Sequence, residues 1–123
     1  MLAFSPSSAP TARSCVSDTL RRLGTAQTVI DDARVVVSEL LANALRHARP
    51  LPTGHLQVGL VVGTGSLRIF VTDGGSATLP SLTNASPMSP GGRGLSIVGT
   101  LTRDWGVRES SGGNTVFGVL DLA

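Results

Sequence analysis

Residues 37–48 read VSELLANALRHA, a largely apolar segment in which three polar side chains recur at intervals of four. Residues four apart lie on the same face of an α-helix, so Glu39, Asn43 and His47 form one polar stripe. The apolar residues beside them form a second stripe that a core would bury. The sequence therefore predicts a helix that holds three polar groups at the edge of the core. For any one of the three, a solvated position is the alternative.

Composition indicates one globular domain spanning residues 1–123. A chain of 123 residues is long enough to bury a substantial core, and 41% hydrophobic with 15% charged residues does not describe a disordered chain. All ten basic residues are Arg, which excludes chemistry based on a Schiff-base or phosphate-loop Lys. The Arg residues are not clustered among stacking aromatic residues, which argues against direct nucleic-acid binding.

Three features of the sequence favour a cytoplasmic protein. The single cysteine, Cys15, has no partner for an internal disulfide. The N-terminal residues do not form a charged region followed by an apolar run, as a signal peptide would. No stretch approaches the roughly 20 apolar residues that span a membrane. We therefore expect the cytoplasm and no membrane partner.

Periodicity along the chain predicts an α+β fold. Helical spacing begins near Ala9 and stops at Gly24. A second helix begins within TAQTVIDDA, residues 25–33, and ends near Pro50. Two strands, 55–62 and 67–72, flank a turn, and a Ser-, Pro- and Gly-rich loop, 76–90, follows them. A helix after GGRGL and two further strands complete the order. This order predicts a two-layer sandwich, in which helices cover one face of a mixed, mostly antiparallel sheet.

Two polar positions on this framework suggest ligand chemistry. Asn43 offers the neutral oxygen that suits Mg²⁺, and Glu39 could orient or deprotonate a nucleophile one turn away. Asp73, in VTDGG, leaves a strand where Gly74 and Gly75 allow close backbone approach, so its carboxylate could accept a hydrogen bond from an exocyclic amine. The alternatives are a solvated helix edge and a plain Asp-Gly turn.

Two further segments could complete a site. In GGRGL, residues 91–95, the backbone N–H groups of Gly92, Arg93 and Gly94 would form a phosphate cradle at a helix N-terminus. The string fits neither the phosphate-loop nor the dinucleotide pattern, and as an isolated glycine cluster it is weak. Thr115, in SGGNTVFGV, could place its hydroxyl beside Asp73, with an ordinary hairpin turn as the alternative.

The order of these motifs resembles a known family. E-x-x-x-N on a helix, D-x-G after a strand, G-x-G-L opening a helix and G-x-T-V on a last strand are similar to the ATPase fold of histidine kinases, DNA gyrase, MutL-type proteins and heat-shock chaperones. Within this Bergerat-type fold, the strings SELLANALRHA, GGRGLSIV and RDWGVRESSGGNTVF most resemble the anti-sigma-factor serine kinases. The similarity extends from about Ala9 to Leu122. One departure is Ala77, which stands at the last glycine of the family's D-x-G-x-G.

The resemblance implies an ATP and Mg²⁺ site. By analogy Asn43 would coordinate Mg²⁺, Glu39 would act as the base, and His47 would border the site. Asp73 would bind the adenine amino group, Gly75 would leave room for the ring and Thr115 would assist through water. At the start of the third helix, the phosphates would be held by Gly92, Arg93, Gly94 and Leu95. Residues 76–90 would form a lid over them.

The same resemblance implies a regulatory function with protein partners. The chain would phosphorylate Ser or Thr of an antagonist protein and sequester a sigma factor, and the resemblance is compatible with a homodimer. The alternative is a binding module whose shape responds to nucleotide without phosphoryl transfer. A detached histidine-kinase ATPase domain ranks lower, because no dimerisation helix with a phospho-acceptor His is present.

Overall fold

The computed structural model describes residues 2–75, 93–110 and 113–122. Three helices and five strands lie in these ranges, with a short 3-10 turn at Pro6–Ser8. In chain order they are β1 (Leu2–Ala3), α1 (Ala9–Arg22), α2 (Gln27–His47), β2 (His55–Gly63), β3 (Ser66–Asp73), α3 (Arg93–Leu101), β4 (Asp104–Ser110) and β5 (Gly113–Asp121).

The C-terminus of α1 shows why this helix ends where the sequence predicts. Gly24 adopts a φ of +71°, in the left-handed region that favours glycine. The N–H of Gly24 donates to the Arg21 carbonyl oxygen, and the N–H of Thr25 donates to that of Leu20. These two bonds form a Schellman motif, which satisfies the last carbonyl groups of the helix. The chain then turns back to begin α2.

The sheet has five strands in the order β1-β2-β3-β5-β4, and all four pairings are antiparallel. The described helices cover only one face, as alternation along β3 shows. Leu67, Ile69 and Val71 are buried, whereas Arg68 and Phe70, which point to the other face, are not. The predicted α+β sandwich with one covered face is confirmed. β1, a two-residue strand at one edge, had not been predicted.

The core lies between the covered face of the sheet and the three helices. Its largest fully buried side chains are aliphatic, in keeping with the scarcity of aromatic residues: Val16, Leu20, Ile30, Val36, Val37, Leu40, Leu41, Leu56, Leu67, Ile69, Val71 and Val98. Helix α2 packs across β3 and β5 and therefore fixes its own polar residues relative to the ends of those strands. Among the helices described, none combines the length and apolar character that a membrane span requires.

Candidate functional site

Asn43 is a buried polar residue in the middle of an apolar surface. Its side chain, on α2, is only 1% exposed. Within the part of the chain that the structure describes, its Oδ1 atom accepts no hydrogen bond. Buried polar atoms are almost always hydrogen-bonded, because an unpaired one costs about 1–3 kcal/mol. An unpartnered carbonyl oxygen at this position is suited to a cation or to a ligand donor.

The other two members of the polar stripe lie at the rim of the buried surface of α2. Glu39 is half-buried, one turn before Asn43, and it lines a surface groove that also includes Arg13 of α1. His47 is the last residue of α2 and is also half-buried. The helix therefore presents the three groups in a row, with only the central one fully removed from water.

Asp73, the last residue of β3, is a buried carboxylate. It is 2% exposed, and it accepts hydrogen bonds from two backbone N–H groups, that of Gly75 at 2.7 Å and that of Asn114. Burial raises the pKa of Asp73 above its ordinary value of 3.8, and the two N–H donors offset only part of this rise. The carboxylate is therefore held in place by the backbone but is short of stabilising partners when charged.

The backbone after Asp73 is joined to the end of α2 and is open on one side. The N–H of Gly74 donates to the Arg49 carbonyl oxygen at 2.7 Å, and the N–H of Arg49 donates to the Gly75 carbonyl oxygen at 2.9 Å. A side chain at Gly74 would collide with the carbonyl oxygen of Pro50. At Gly75, where φ is +100°, a Cβ atom would meet no atom of the described residues within 4 Å. Among the described residues, none therefore fills the space that a Cβ at Gly75 would enter.

The structure does not bring Thr115 to Asp73. In the pairing of β3 with β5, Asp73 lies opposite Asn114, and Thr72 lies opposite Thr115. Because successive side chains of a strand point to opposite faces, Thr115 lies on the uncovered face, where its hydroxyl is 2.7 Å from that of Thr72. Asn114, which is 5% exposed, occupies the position beside Asp73.

The predicted phosphate cradle is described in part. Helix α3 begins at Arg93, so Arg93, Gly94 and Leu95 form its first turn, as the sequence predicts. The first N–H groups of a helix have no partner within the helix and favour anions. Gly92 and the proposed lid, residues 76–90, lie outside the described residues.

These groups have complementary chemistry for a nucleotide. A buried carboxylate with open space beside it can accept a hydrogen bond from a ring amine, and an unpartnered amide oxygen can bind a cation. A helix N-terminus can receive phosphate oxygens. The model of the histidine kinase-like ATPase domain matches residues 2–117 of the chain. The chain belongs to this family.

Solved structures share the fold of this histidine kinase-like ATPase domain at low sequence identity. The crystal structure of the RsbU and RsbW domains of Rv1364c from Mycobacterium tuberculosis matches with a TM-score of 0.70 and 22% identity, over 98% of this chain and 31% of that one. The histidine kinase domain from Erythrobacter litoralis EL346 blue-light activated histidine kinase matches with a TM-score of 0.55 and 24% identity, over 76% and 45%. The chain thus spans less than half of either structure. No curated protein matches it.

Two features of this ATPase domain were missed by the sequence interpretation. Asn114 is one, although strand alternation carried the signal, since the residue opposite Asp73 must share its face. The other is the bridge from Arg49 to Gly74 and Gly75, which uses only backbone atoms. Hydrogen bonds between backbone atoms do not depend on residue type, so the sequence indicates them only through the glycine that makes room for them.

Proposed function

We propose that this domain binds ATP with Mg²⁺ and phosphorylates Ser or Thr of an antagonist protein, as part of a switch that sequesters a sigma factor in the cytoplasm. The observation that carries the proposal is the buried carboxylate of Asp73, held by two backbone N–H groups beside the open space at Gly75. The resemblance of the motifs to anti-sigma-factor serine kinases supports the choice of substrate and partners.

We assign adenine recognition to the C-terminal end of β3 and the N-terminal end of β5. Asp73 would accept a hydrogen bond from the exocyclic amine, and the ring would lie in the space beside Gly75. We assign to Asn114 the supporting place that the sequence interpretation gave to Thr115, because Asn114 lies opposite Asp73 in the sheet. An amide side chain can donate and accept, so it can bond a ring nitrogen directly.

The unpartnered Oδ1 of Asn43 fits a magnesium ligand. Among the described residues, no group of three His, Cys, Asp or Glu side chains could hold a metal by itself. Magnesium commonly takes one or two protein ligands and fills its remaining positions with waters and substrate phosphates. Asn43 would therefore hold the ion only together with a nucleotide, so metal and ATP would bind cooperatively.

Phosphoryl transfer would depend on Glu39 and on the start of α3. The bound Mg²⁺-ATP would supply the phosphoryl group and neutralise its charge. The Glu39 carboxylate would orient the substrate hydroxyl and accept its proton. The N–H groups of Gly92, Arg93 and Gly94, together with Leu95, would hold the phosphates, and His47 would border them. Positioning and electrostatics would supply most of the rate enhancement.

A second function, a nucleotide-gated binding module without phosphoryl transfer, is favoured by the position of Glu39. This side chain lines a groove that is otherwise formed by the outer surface of α2 and by Arg13 of α1. A carboxylate in such a groove could contact a protein partner instead of a substrate hydroxyl. The two functions differ in their response to Glu39→Ala. A kinase would lose phosphoryl transfer and still bind the antagonist protein, whereas a binding module would lose affinity for its partner.

Titration calorimetry with ATP, with and without Mg²⁺, tests the proposal on the intact chain. We expect saturable binding that Mg²⁺ strengthens. Asp73→Asn should weaken binding about tenfold or more, because it removes a charge-assisted hydrogen bond of about 1.5–3 kcal/mol. Asn43→Ala should retain binding without Mg²⁺ but lose the strengthening by Mg²⁺.

Two results would contradict the proposal. One is a folded wild-type chain that does not bind ATP at millimolar concentration. The other is binding that Asp73→Asn leaves unchanged. Circular dichroism of each variant separates loss of the site from loss of the fold.

A further inference from the structure

Two aromatic side chains lie opposite each other on the face of the sheet that no described helix covers. Phe70 of β3 pairs with Phe117 of β5, and both side chains point away from the helix layer. Both are half-buried. A Cβ at Gly59 of β2 would collide with the end of the Phe70 ring, so this ring extends over β2. Partly exposed rings of this kind offer a surface on which planar groups can stack.

Two arginine side chains lie at one of these rings. The guanidinium carbon of Arg68, on β3, is 4.8 Å from the centre of the Phe117 ring, and that of Arg108, on β4, is 6.0 Å from it. Neither arginine forms a salt bridge among the described residues, whereas Arg103 pairs with Asp121 at 3.0 Å. A ring face attracts a guanidinium group without neutralising it. Two positive charges are therefore positioned on this face and remain available to an anion.

A cavity of about 250 Å³ lies among these side chains. It is lined by both rings and both arginines, together with Val61, Thr72 and Thr115. The hydroxyl oxygens of the two threonines are 2.7 Å apart. No carboxylate of the described residues lines the cavity, and Asp104, on the same face, is separated from Arg68 by Val119. The cavity therefore combines aromatic surface, hydroxyl groups and positive charge.

The combination of rings and uncompensated charges indicates the class of ligand. Two arginines alone would suit any anion. A nucleic acid places a planar base and a phosphate in every repeating unit, whereas an acidic peptide offers carboxylates without rings. Pockets that hold whole small molecules measure about 300–1,000 Å³. A cavity just below this range suits one unit of a longer chain.

We infer that this face binds single-stranded nucleic acid. One base stacks on Phe70 within the cavity, and Arg68 and Arg108 contact the phosphates on either side of it. The hydroxyl groups of Thr72 and Thr115 donate to sugar or phosphate oxygens.

The sequence did not indicate this surface, because its members are distant along the chain. The expectation against nucleic-acid binding depended on the lack of arginines clustered among aromatic residues. Pairing of β5 with both β3 and β4 builds such a cluster from three strands.

Salt-dependent binding of a short, fluorescein-labelled oligothymidylate tests the inference by fluorescence anisotropy. We expect saturable binding to the wild-type chain at low salt. Two phosphate contacts predict a slope of about −1.4 in log K against log salt concentration, because each contact to a single strand contributes about −0.7. Arg68→Gln and Arg108→Gln should each reduce this slope to about −0.7. Phe70→Leu, which keeps an apolar side chain but removes the ring, should weaken binding about fivefold or more.

Two controls separate this surface from general electrostatic attraction. Arg22→Gln removes the same charge from an exposed position of α1 and should leave affinity and slope unchanged. A duplex of the same length, whose bases are stacked inside, should bind more weakly than the single strand. Thymine has no exocyclic amine to donate to Asp73, so the result is independent of the proposed ATP site. Circular dichroism checks the fold of each variant.

Four results would overturn the inference: a folded wild-type chain that does not bind the oligothymidylate, a slope that neither arginine variant changes, an affinity that Phe70→Leu leaves unchanged, or a duplex that binds as tightly as the single strand. Binding of an oligoglutamate without binding of the oligothymidylate would also overturn it and assign the face to an acidic protein segment. Self-association that Phe70→Leu abolishes, again without oligothymidylate binding, would overturn it in favour of a second copy of the chain.

Discussion

At Asp73 a buried carboxylate depends for its stabilisation on two backbone N–H groups, those of Gly75 and Asn114. Burial has the larger effect and raises its pKa. The folded protein therefore binds a proton at Asp73 more readily than the unfolded chain does. The stability that this proton provides is complete below the ordinary value of 3.8 and is lost as pH rises through the raised pKa. A ligand that donates a hydrogen bond to the carboxylate would compensate for this loss.

Asp73→Asn is expected to change the pH dependence of stability. The amide carries no charge, so the variant does not lose stability as the wild-type carboxylate ionises. We expect the nucleotide-free variant to gain stability relative to wild type as pH rises from near 3.8 to neutrality. Urea unfolding of both proteins over this range measures the difference. A difference that is constant or shrinks with pH would contradict the assignment.

Asn114 and Thr115 are adjacent in the chain but belong to opposite faces of the sheet, and this predicts opposite results for their substitution. Asn114→Ala should weaken ATP binding about tenfold, because it removes a hydrogen-bonding group beside Asp73. Thr115→Val should change binding less than about twofold, since its hydroxyl bonds Thr72 on the uncovered face. Calorimetry on the two variants makes the comparison. Equal losses of ATP affinity in the two variants would show that both substitutions act by disturbing the structure of β5.

Among the elements, the connection between α2 and the end of β3 matters most for the site. The two hydrogen bonds between Arg49 and the Gly74–Gly75 backbone join the helix that carries Asn43 to the strand that carries Asp73. The distance between the Asn43 and Asp73 side chains is therefore fixed by backbone contacts as well as by side-chain packing. Such a connection requires that Gly74 have no side chain.

Gly74→Ala is expected to destabilise the fold and weaken ATP binding together. The new methyl group would collide with the Pro50 carbonyl oxygen, and overpacking of this kind costs about 1–3 kcal/mol. Gly63→Ala is the matched control, because the atom nearest to its new Cβ is the rotatable Ser66 hydroxyl oxygen at 3.3 Å. Urea unfolding and calorimetry on both variants would measure the two effects. A fully stable Gly74→Ala protein would show that the connection adjusts easily.

Over the whole molecule, the sequence predicted best those elements whose signals are local and periodic. The spacing of apolar residues located α1 and α2 to within a few residues, and Gly24 marked the end of α1 because only its left-handed conformation completes the Schellman motif. Two strand-like runs on either side of a Gly-rich turn located β2 and β3. These patterns were enough to predict a helix layer on one face of an antiparallel sheet.

Features that arise from contacts between distant segments could not be predicted in this way. β1 has two residues, too few for any periodicity, and it exists only because β2 lies beside it. The bridge at Arg49 depends on backbone atoms, which every residue shares. Thr115 was placed beside Asp73 because its hydroxyl is chemically suitable. The register of β3 against β5, a long-range property, places Asn114 there instead.

The unpartnered oxygen of Asn43 also has a consequence for laboratory evolution. A buried acceptor without a donor lowers stability whenever the site is empty, and so does a buried carboxylate with a raised pKa. A selection that rewards heat resistance alone, in medium without nucleotide, would favour apolar replacements at positions 43 and 73. Such a library would gain melting temperature and lose the proposed nucleotide site, and its sequences would test that site without any binding assay.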